Sequence, residues 1–449
     1  MTCIATNASR RATASHPGVA TLWIASSTAL SASRRRSSRP ENWSVKKLRS
    51  PRNGSRVSDA EVRAAGAPAG CYNRVVASPS VRGPFRPGTG ATPPYLAGRE
   101  LPQSMFQEFL TDLSNGLPPG TQIILHGPRG NGKTALLRWL HSEATHAFGI
   151  ETAVLRPAEI RDASRLGELV ASRRWWHRLA PAGFSLGQSG WTRGRIRPPS
   201  PAEILATRAR RKPLLVLLDE AHTLDLDVGR ILLNAAQETG GSLPLLLVLA
   251  GTPGLEGRLN AMGASFWNRA EQLRIGRLSE EATAEAFSRP FRDEGIEVSG
   301  DALTVMVRES QRYPYFVQLL GSAVWGRLGR SGAQPPRVTG ETVGAARREF
   351  DRTKGEYYAH RVEEMAVRGL LSASAAVADA FRDRSTLTRS HLEKAIERGL
   401  GGAGDAGRQG AAMQELRELG YIWRVEARPD WEPGIPSLMD YVREHARES

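Results

Sequence analysis

Cysteine is nearly absent from this chain. There are two in 449 residues, Cys3 and Cys71. Nothing beyond Cys71 can form a disulfide, a thiolate metal centre or a cysteine nucleophile. Long apolar runs are also missing. No stretch approaches the ~18 residues that a membrane span requires, so the expectation is a cytoplasmic protein with no membrane segment. Acidic residues are scarce at one end only. Residues 1–98 hold 15 Lys/Arg against 3 Asp/Glu, whereas the rest of the chain holds 46 against 43. The formal net charge of +15 therefore belongs mainly to the N-terminal segment and says little about the folded part. Forty per cent hydrophobic residues is enough for a real core, and the length suggests two or three domains.

Residues 1–85 are rich in Ser, Arg, Ala and Gly, as in Arg34-Arg35-Arg36-Ser37-Ser38-Arg39. They show few periodic apolar positions. Three readings compete: a disordered tail that touches nucleic acid, an organellar transit peptide, and a segment without function, translated from a misplaced start codon. Disorder without a specific function is the favoured expectation.

What the chain does have is Gly127-Pro128-Arg129-Gly130-Asn131-Gly132-Lys133-Thr134. This fits G-x-x-x-x-G-K-[ST], the phosphate-binding P-loop. An apolar run, Gln122 to Leu125, precedes it, and a helical pattern, Ala135 to Leu140, follows. Strand, loop and helix are the context the motif needs. Its glycines let backbone N–H groups curl around phosphate oxygens, and the helix N-terminus adds partial positive charge. Lys133 is placed to bridge the β- and γ-phosphates of ATP, and the Thr134 hydroxyl to ligate Mg²⁺.

Further apolar runs alternate with amphipathic stretches. Strands are expected at Thr152–Leu155, Leu214–Leu218 and Leu245–Ala250, with helices near 158–172 and 228–239. Residues 173–202, with Trp175, Trp176 and paired Pro198-Pro199, read as an insertion or loop. This order implies a three-layer α/β fold, a parallel sheet covered on both faces. Asp219 ends a buried strand, where a second Mg²⁺-organising carboxylate belongs. Glu220 beside it is the candidate general base. Asp219-Glu220-Ala221-His222 also occurs in a helicase superfamily, but no second motor domain follows, so His222 reads as a structural neighbour of the site. Thr252 caps the next strand and can sense the γ-phosphate. Arg269, with Arg274 and Arg277 as lesser candidates, is placed to act as an arginine finger on a neighbouring subunit.

Together these residues resemble the AAA+ ATPases, and among them the Orc1/Cdc6-like group, over about residues 94–449. The resemblance implies an AAA+ core at 94–278, an α-helical lid at 279–345 and a winged-helix domain at 346–449. Leu96-Ala97-Gly98-Arg99-Glu100 looks like the motif on the adenine side of the nucleotide. Asp219-Glu220 looks like Walker B, Thr252 like sensor 1 and Arg269 like the arginine finger. Tyr313 to Gly321 looks like the lid helix, but Tyr315 stands where many relatives carry an arginine, and the nearby arginine is Arg312.

The remainder reads as helices at 356–381, from Thr388 and at 408–419, a strand at 421–425 and a wing at 429–436. Arg408, Gln409, Gln414 and Arg417 would then face a DNA groove. Residues 360–449 hold 13 Lys/Arg and 15 Asp/Glu, which weakens a DNA reading because phosphate neutralisation drives affinity. The functional expectation is an ATP·Mg²⁺-dependent switch, an ATP hydrolase in a DNA-associated assembly of initiator-like or transposition-helper-like type, able to form homo-oligomers. The alternative is a signal-transduction ATPase whose winged helix grips a protein partner.

Overall fold

The computed structural model describes residues 83–88, 92–171, 199–263, 265–328, 336–402, 405–424 and 429–448. All but residues 83–85 of the basic segment, and most of the insertion expected at 173–202, lie outside the described residues.

Five strands form the central sheet: β1 Ile123–His126, β2 Glu151–Leu155, β3 Leu214–Leu218, β4 Leu245–Gly251 and β5 Glu271–Arg274. Their spatial order is β2-β3-β4-β1-β5, and every pairing is parallel. Strands β3 and β4 are buried at every position, as continuous leucine-rich runs in a doubly covered sheet must be. The edge strand β5, with Glu271, Gln272 and Arg274, is partly exposed; charged side chains on an edge discourage pairing with another chain.

The period of two sorts the sheet's side chains into two cores. Ile123, Leu125, Leu215, Leu217, Leu246 and Val248 pack under α1 (Glu100–Ser114) and α2 (Lys133–His146). Ile124, Val216, Leu218, Leu247 and Leu249 pack on the other face under α3 (Ala163–Val170), α4 (Pro201–Ala209) and α5 (Leu226–Gly240). Two local expectations change here. The helix expected near 158–172 is a 3-10 turn at Pro157–Glu159 followed by α3, which starts where Asp162 accepts the Arg165 N–H. Residues 200–202, read as loop, begin α4. Ser200 and Glu203 form a capping box there, with Pro201 at the first helical position, which its fixed φ favours.

A short helix α6 (Leu255–Ala261) and a 3-10 turn at Ser265–Arg269 lead from β4 to β5. Beyond the sheet come α7 (Glu280–Asp293), α8 (Gly300–Glu309) and α9 (Pro314–Arg327), with a two-residue parallel pair, β6 Glu297–Val298 and β7 Arg337–Val338. The helix expected over 356–381 is two helices. The first, α10, runs from Gly340 to Val367 and starts under a Thr339 capping box. Gly369, at φ 67°, turns the chain into α11 (Leu371–Ala380); this left-handed conformation suits glycine.

The expected boundary between lid and winged helix, at 345/346, thus falls inside one unbroken helix. Residues from Leu278 to Val442 share a single apolar core. Phe85 belongs to it as well, tilted against Phe291 at 4.9 Å between ring centroids, so the basic segment ends before residue 85. The chain finishes with α12 (Arg389–Gly399, capped by Thr388), α13 (Ala406–Glu418), the antiparallel pair β8 Ile422–Arg424 and β9 Trp431–Pro433, and α14 (Pro436–Glu448). Strand β9 occupies part of the expected wing, and Leu387 bridges to its Trp431.

Candidate functional site

The P-loop leaves the C-terminal end of β1 and feeds α2. Gly130 and Gly132 take φ values of 83° and 89°, where a side chain would be strained. Gly132 caps α2 without any side-chain cap hydrogen bond, so the first N–H groups of the helix face the loop's concavity. Lys133 is the first residue of α2 and is buried; its Nζ donates to the Gly127 and Pro128 carbonyls at 2.8 and 3.0 Å. Burial pulls its ammonium down to about 8, because desolvation disfavours the charged form.

Strand β3 delivers the acidic pair. The Thr134 hydroxyl donates to Asp219 Oδ2 at 2.7 Å, and the Glu220 N–H donates to Asp219 Oδ1 at 2.9 Å. Glu220 stands at φ 52°, a left-handed conformation unusual for a residue with a side chain. Its half-exposed carboxylate faces the same cavity as Lys133 and Thr134. That cavity is about 350 Å³, within the range of small-ligand sites. Leu96, Ala97, Leu278 and Val317 are among its apolar lining.

Thr252 is fully buried at the end of β4, and its Oγ1 has no hydrogen-bond partner. The Thr252 N–H donates to His222 Nδ1 at 3.4 Å, and His222 Nε2 lies 3.5 Å from Glu220 Oε2. Burial, with Arg129 and Lys133 nearby, lowers His222 to about 4. The ring is therefore neutral at physiological pH. With Nδ1 accepting, the proton sits on Nε2, so the approach to Glu220 is a long polar contact and not an ion pair. His222 thus accepts from Thr252, while its buried Nε2 has no hydrogen-bond partner in the structure.

The resemblance's adenine-side segment does two things. Leu96, Ala97 and Arg99 line the cavity, and the Arg99 guanidinium holds the loop by donating to Asn131 O at 3.1 Å and Gly276 O at 2.7 Å. Burial lowers Arg99 only to about 10, so it stays charged. Asn131 donates to the Ile275 carbonyl at 3.1 Å while its own Oδ1 is unpaired. Glu100 turns away to Tyr95 Oη and the Gly98 N–H.

Arg269 is not brought to this cavity. The Thr121 hydroxyl donates to its carbonyl at 3.3 Å, which places it at the N-terminal edge of the sheet. The P-loop is at the C-terminal edge, roughly 20 Å away at ~3.3 Å per strand residue. Arg277 pairs instead with Glu432 at 3.4 Å. Arg274 lies at the end of β5, near enough to His126 to help lower its ring to about 4, after burial.

Of the side chains expected to face a DNA groove from α13, Arg408 is exposed. Gln409 is half-buried and donates to the Glu393 carbonyl at 2.6 Å. Arg417 lies 3.2 Å from Glu256 of α6, and Gln414 abuts Gly257. Part of the expected reading face is therefore packed on α6, beside the central sheet. Sequence periodicity marks which face of a helix is apolar but not which polar face meets another unit.

The α9 and α10 helices also reach the loop, which the sequence did not reveal. The Tyr313 hydroxyl donates to the Arg129 carbonyl, and the Tyr315 N–H to the Gly130 carbonyl at 3.2 Å. Arg361 and Tyr357 of α10 line the cavity, whereas Arg312, the arginine noted near the lid, does not. Instead the Arg312 carbonyl accepts the Leu278 N–H. The only hint in the sequence is the i, i+4 and i+3 spacing of Tyr357, Arg361 and Glu364, which puts them on one face of a helix.

Among the described residues no helix is long and apolar enough to cross a membrane, and no cluster of His, Cys, Asp and Glu could hold a metal by itself. The oxygens that could share a Mg²⁺ with a nucleotide are those of Thr134 and Asp219, already in contact. The Lys133 ammonium, turned onto loop carbonyls, is a donor that suits a phosphate-bearing ligand; the unpaired Thr252 hydroxyl is buried behind the cavity's lining, and the unpaired atom of Asn131 is an acceptor oxygen.

No protein-family model and no curated protein matches this chain. Solved structures do. A Walker-type ATPase of Pyrococcus abyssi aligns with a TM-score of 0.53 at 16% identity, over 78% of this chain and 96% of its own. The ADP form of the Aeropyrum pernix ORC2 protein aligns at 0.49 with 14% identity, over 82% and 100%. The Thermotoga maritima RuvB branch-migration motor aligns at 0.42 with 15% identity, over 78% and 95%. At such identities the likeness is one of fold. With its five-stranded parallel sheet, the P-loop at the end of β1 and the helical region beyond, the chain has the fold of the AAA+ P-loop ATPases.

Proposed function

We propose that this protein binds ATP with Mg²⁺ in the cavity beside the P-loop and hydrolyses it to switch conformation. The observation that carries the reading is the 2.7 Å contact between Thr134 and Asp219, which joins two motifs at a cavity that also holds Lys133 and Glu220. Gly127 to Thr134 enclose the phosphates with backbone N–H groups. Lys133 exchanges loop carbonyls for phosphate oxygens. Thr134 and Asp219 hold Mg²⁺, which screens the phosphate charge when bound. Glu220 takes the proton of the attacking water, and His222 Nε2–H orients that carboxylate. Thr252 offers its hydroxyl toward the terminal phosphate. Arg269, remote from its own P-loop, serves a neighbouring copy.

In this reading the core spans 94–278 and the lid begins at 279. Helices α11, α12 and α13 with the β8–β9 ribbon form a winged helix acting in a DNA-associated assembly. The rival reading, a signal-transduction ATPase with a protein partner, gains from the seating of Gln414 and Arg417 against the core. Calorimetry tests the ATP site: the wild type should bind ATP with Mg²⁺, and Lys133→Ala should lose tight binding while keeping its circular dichroism. Equal affinity in both would refute the proposal. A gel shift across a salt series separates the partner readings, because DNA affinity must fall steeply with salt. No shift at low salt, with and without nucleotide, would favour the protein partner.

A further inference from the structure

Arg361 is a buried cation for which the mechanism above has no use. It is 7% exposed and lines the cavity together with Arg129, Lys133 and Glu220. Its place is beside the P-loop, because it shares the carboxylate of Glu364 with Arg129, and the charge of Arg361 is felt at Lys133, where it helps to lower the ammonium.

The guanidinium sits 5.3 Å from the centre of the Tyr357 ring and donates to the Tyr357 hydroxyl at 3.3 Å. Its strongest partner is Glu364, one turn along α10, at 2.8 Å. The same Glu364 reaches Arg129 of the P-loop at 3.5 Å and Arg368 at 3.6 Å. One carboxylate thus shares three guanidiniums, two of which line the cavity. A hydrogen-bonded line also runs from Arg129 O through Tyr313 Oη and Tyr357 Oη to Arg361. P-loop, lid and α10 meet at this point.

We propose that Arg361 is a nucleotide-sensing residue that contacts the terminal phosphate of ATP, exchanging Glu364 for phosphate oxygens. Arginine suits that exchange because its planar fork matches carboxylate and phosphate alike. The cost of burying the cation is offset by Glu364 in one state and by phosphate in the other. Lys133 is the P-loop residue at the β/γ junction, so a second cation near it discriminates ATP from ADP. Because α10 continues into the C-terminal helices through Gly369, freeing Glu364 from Arg361 changes the restraint on the element that carries them. Nucleotide state is then read by a helix beyond the lid and not by the start of the lid helix.

The inference rests on the ATP-site reading, and the test separates the two. Full-length wild type is titrated calorimetrically with Mg·ADP and with a Mg-bound non-hydrolysable ATP analogue. Binding of neither overturns both readings. With both bound, Arg361→Gln should lose about 10–100-fold in affinity for the analogue, the range of a charge-assisted hydrogen bond, and no more than about 3-fold for ADP. Arg361→Lys should recover part of the loss. Unchanged affinities, or equal losses for the two nucleotides, would overturn the role of Arg361 and leave the ATP site standing. If Arg361→Gln fails to fold, Glu364→Gln decides. By freeing the guanidinium it should raise analogue affinity by about 3-fold or more, with ADP nearly unchanged. No selective gain would sink the proposal.

Discussion

At the scale of single residues, burial sets the chemistry. Lys133 is enclosed by the loop it serves, and its ammonium is held near 8. Contact with phosphate restores its preference for charge. Below pH 8 the group is charged with and without nucleotide, so affinity should be flat. Above pH 8 the free site must take up a proton in order to bind. Affinity should therefore fall as pH rises, by about 10-fold at pH 9 relative to pH 7. Calorimetry at pH 7, 8 and 9 in buffers of different ionisation enthalpy reads both affinity and proton uptake. A flat profile without proton uptake would show that Lys133 never loses its charge. His222, held near 4, contributes no titration to this window.

At the scale of elements, the strand ends decide which groups can meet. Thr134 and Asp219 meet because β1 and β3 point the same way, so that the loops following them emerge on one edge of the sheet. Arg269 stands before β5 and so emerges on the opposite edge. It cannot serve its own P-loop. If it acts on a neighbouring copy, specific activity should rise with protein concentration. Arg269→Ala should abolish that rise and keep ATP affinity. Mixing Lys133→Ala with Arg269→Ala subunits should restore turnover, because one interface then combines an intact loop with an intact finger. An arginine finger contributes ~10³–10⁵-fold in kcat, so even partial rescue should be measurable. Concentration-independent activity without rescue would make Arg269 a surface residue.

At the scale of the whole molecule, one apolar core unites the region from Leu278 to Val442 with a residue far upstream. Phe85 is 4% exposed and lies between Phe291 and the Gly321 position of α9, where any side chain would strike its ring. Phe85→Ala should cost about 3–5 kcal/mol, read as a lower Tm, while ATP affinity in the remaining folded protein stays close to wild type. An unchanged Tm would mean that the contact contributes nothing to stability. Removing residues 1–85 as a block should carry the same penalty, since that cut takes Phe85 with it.

Much of the sheet and of the candidate site's loop was legible in the residues alone, because both are written in short-range code. Buried parallel strands must be continuous apolar runs, as at Leu214–Leu218 and Leu245–Ala250. The proposed phosphate-cradling loop, Gly127 to Thr134, is marked by glycines, a lysine and a hydroxyl at fixed spacing. The local pattern starts this helix only at Glu356, because Gly344 and Gly355 weaken it; burial of Val343, Ala346 and Phe350 in the common apolar core carries it back to Gly340. The parts that stayed hidden depend on contacts between distant segments. The αL conformation of Glu220, the neutral His222 between it and Thr252, and Phe85 in the C-terminal core have no local signature. Neither does the placing of Gln414 and Arg417 on α6, or of Arg361 in the cavity that Lys133 also lines. Periodicity tells a side chain which face of its element it occupies. Only the packing of one element on another tells it what that face will meet.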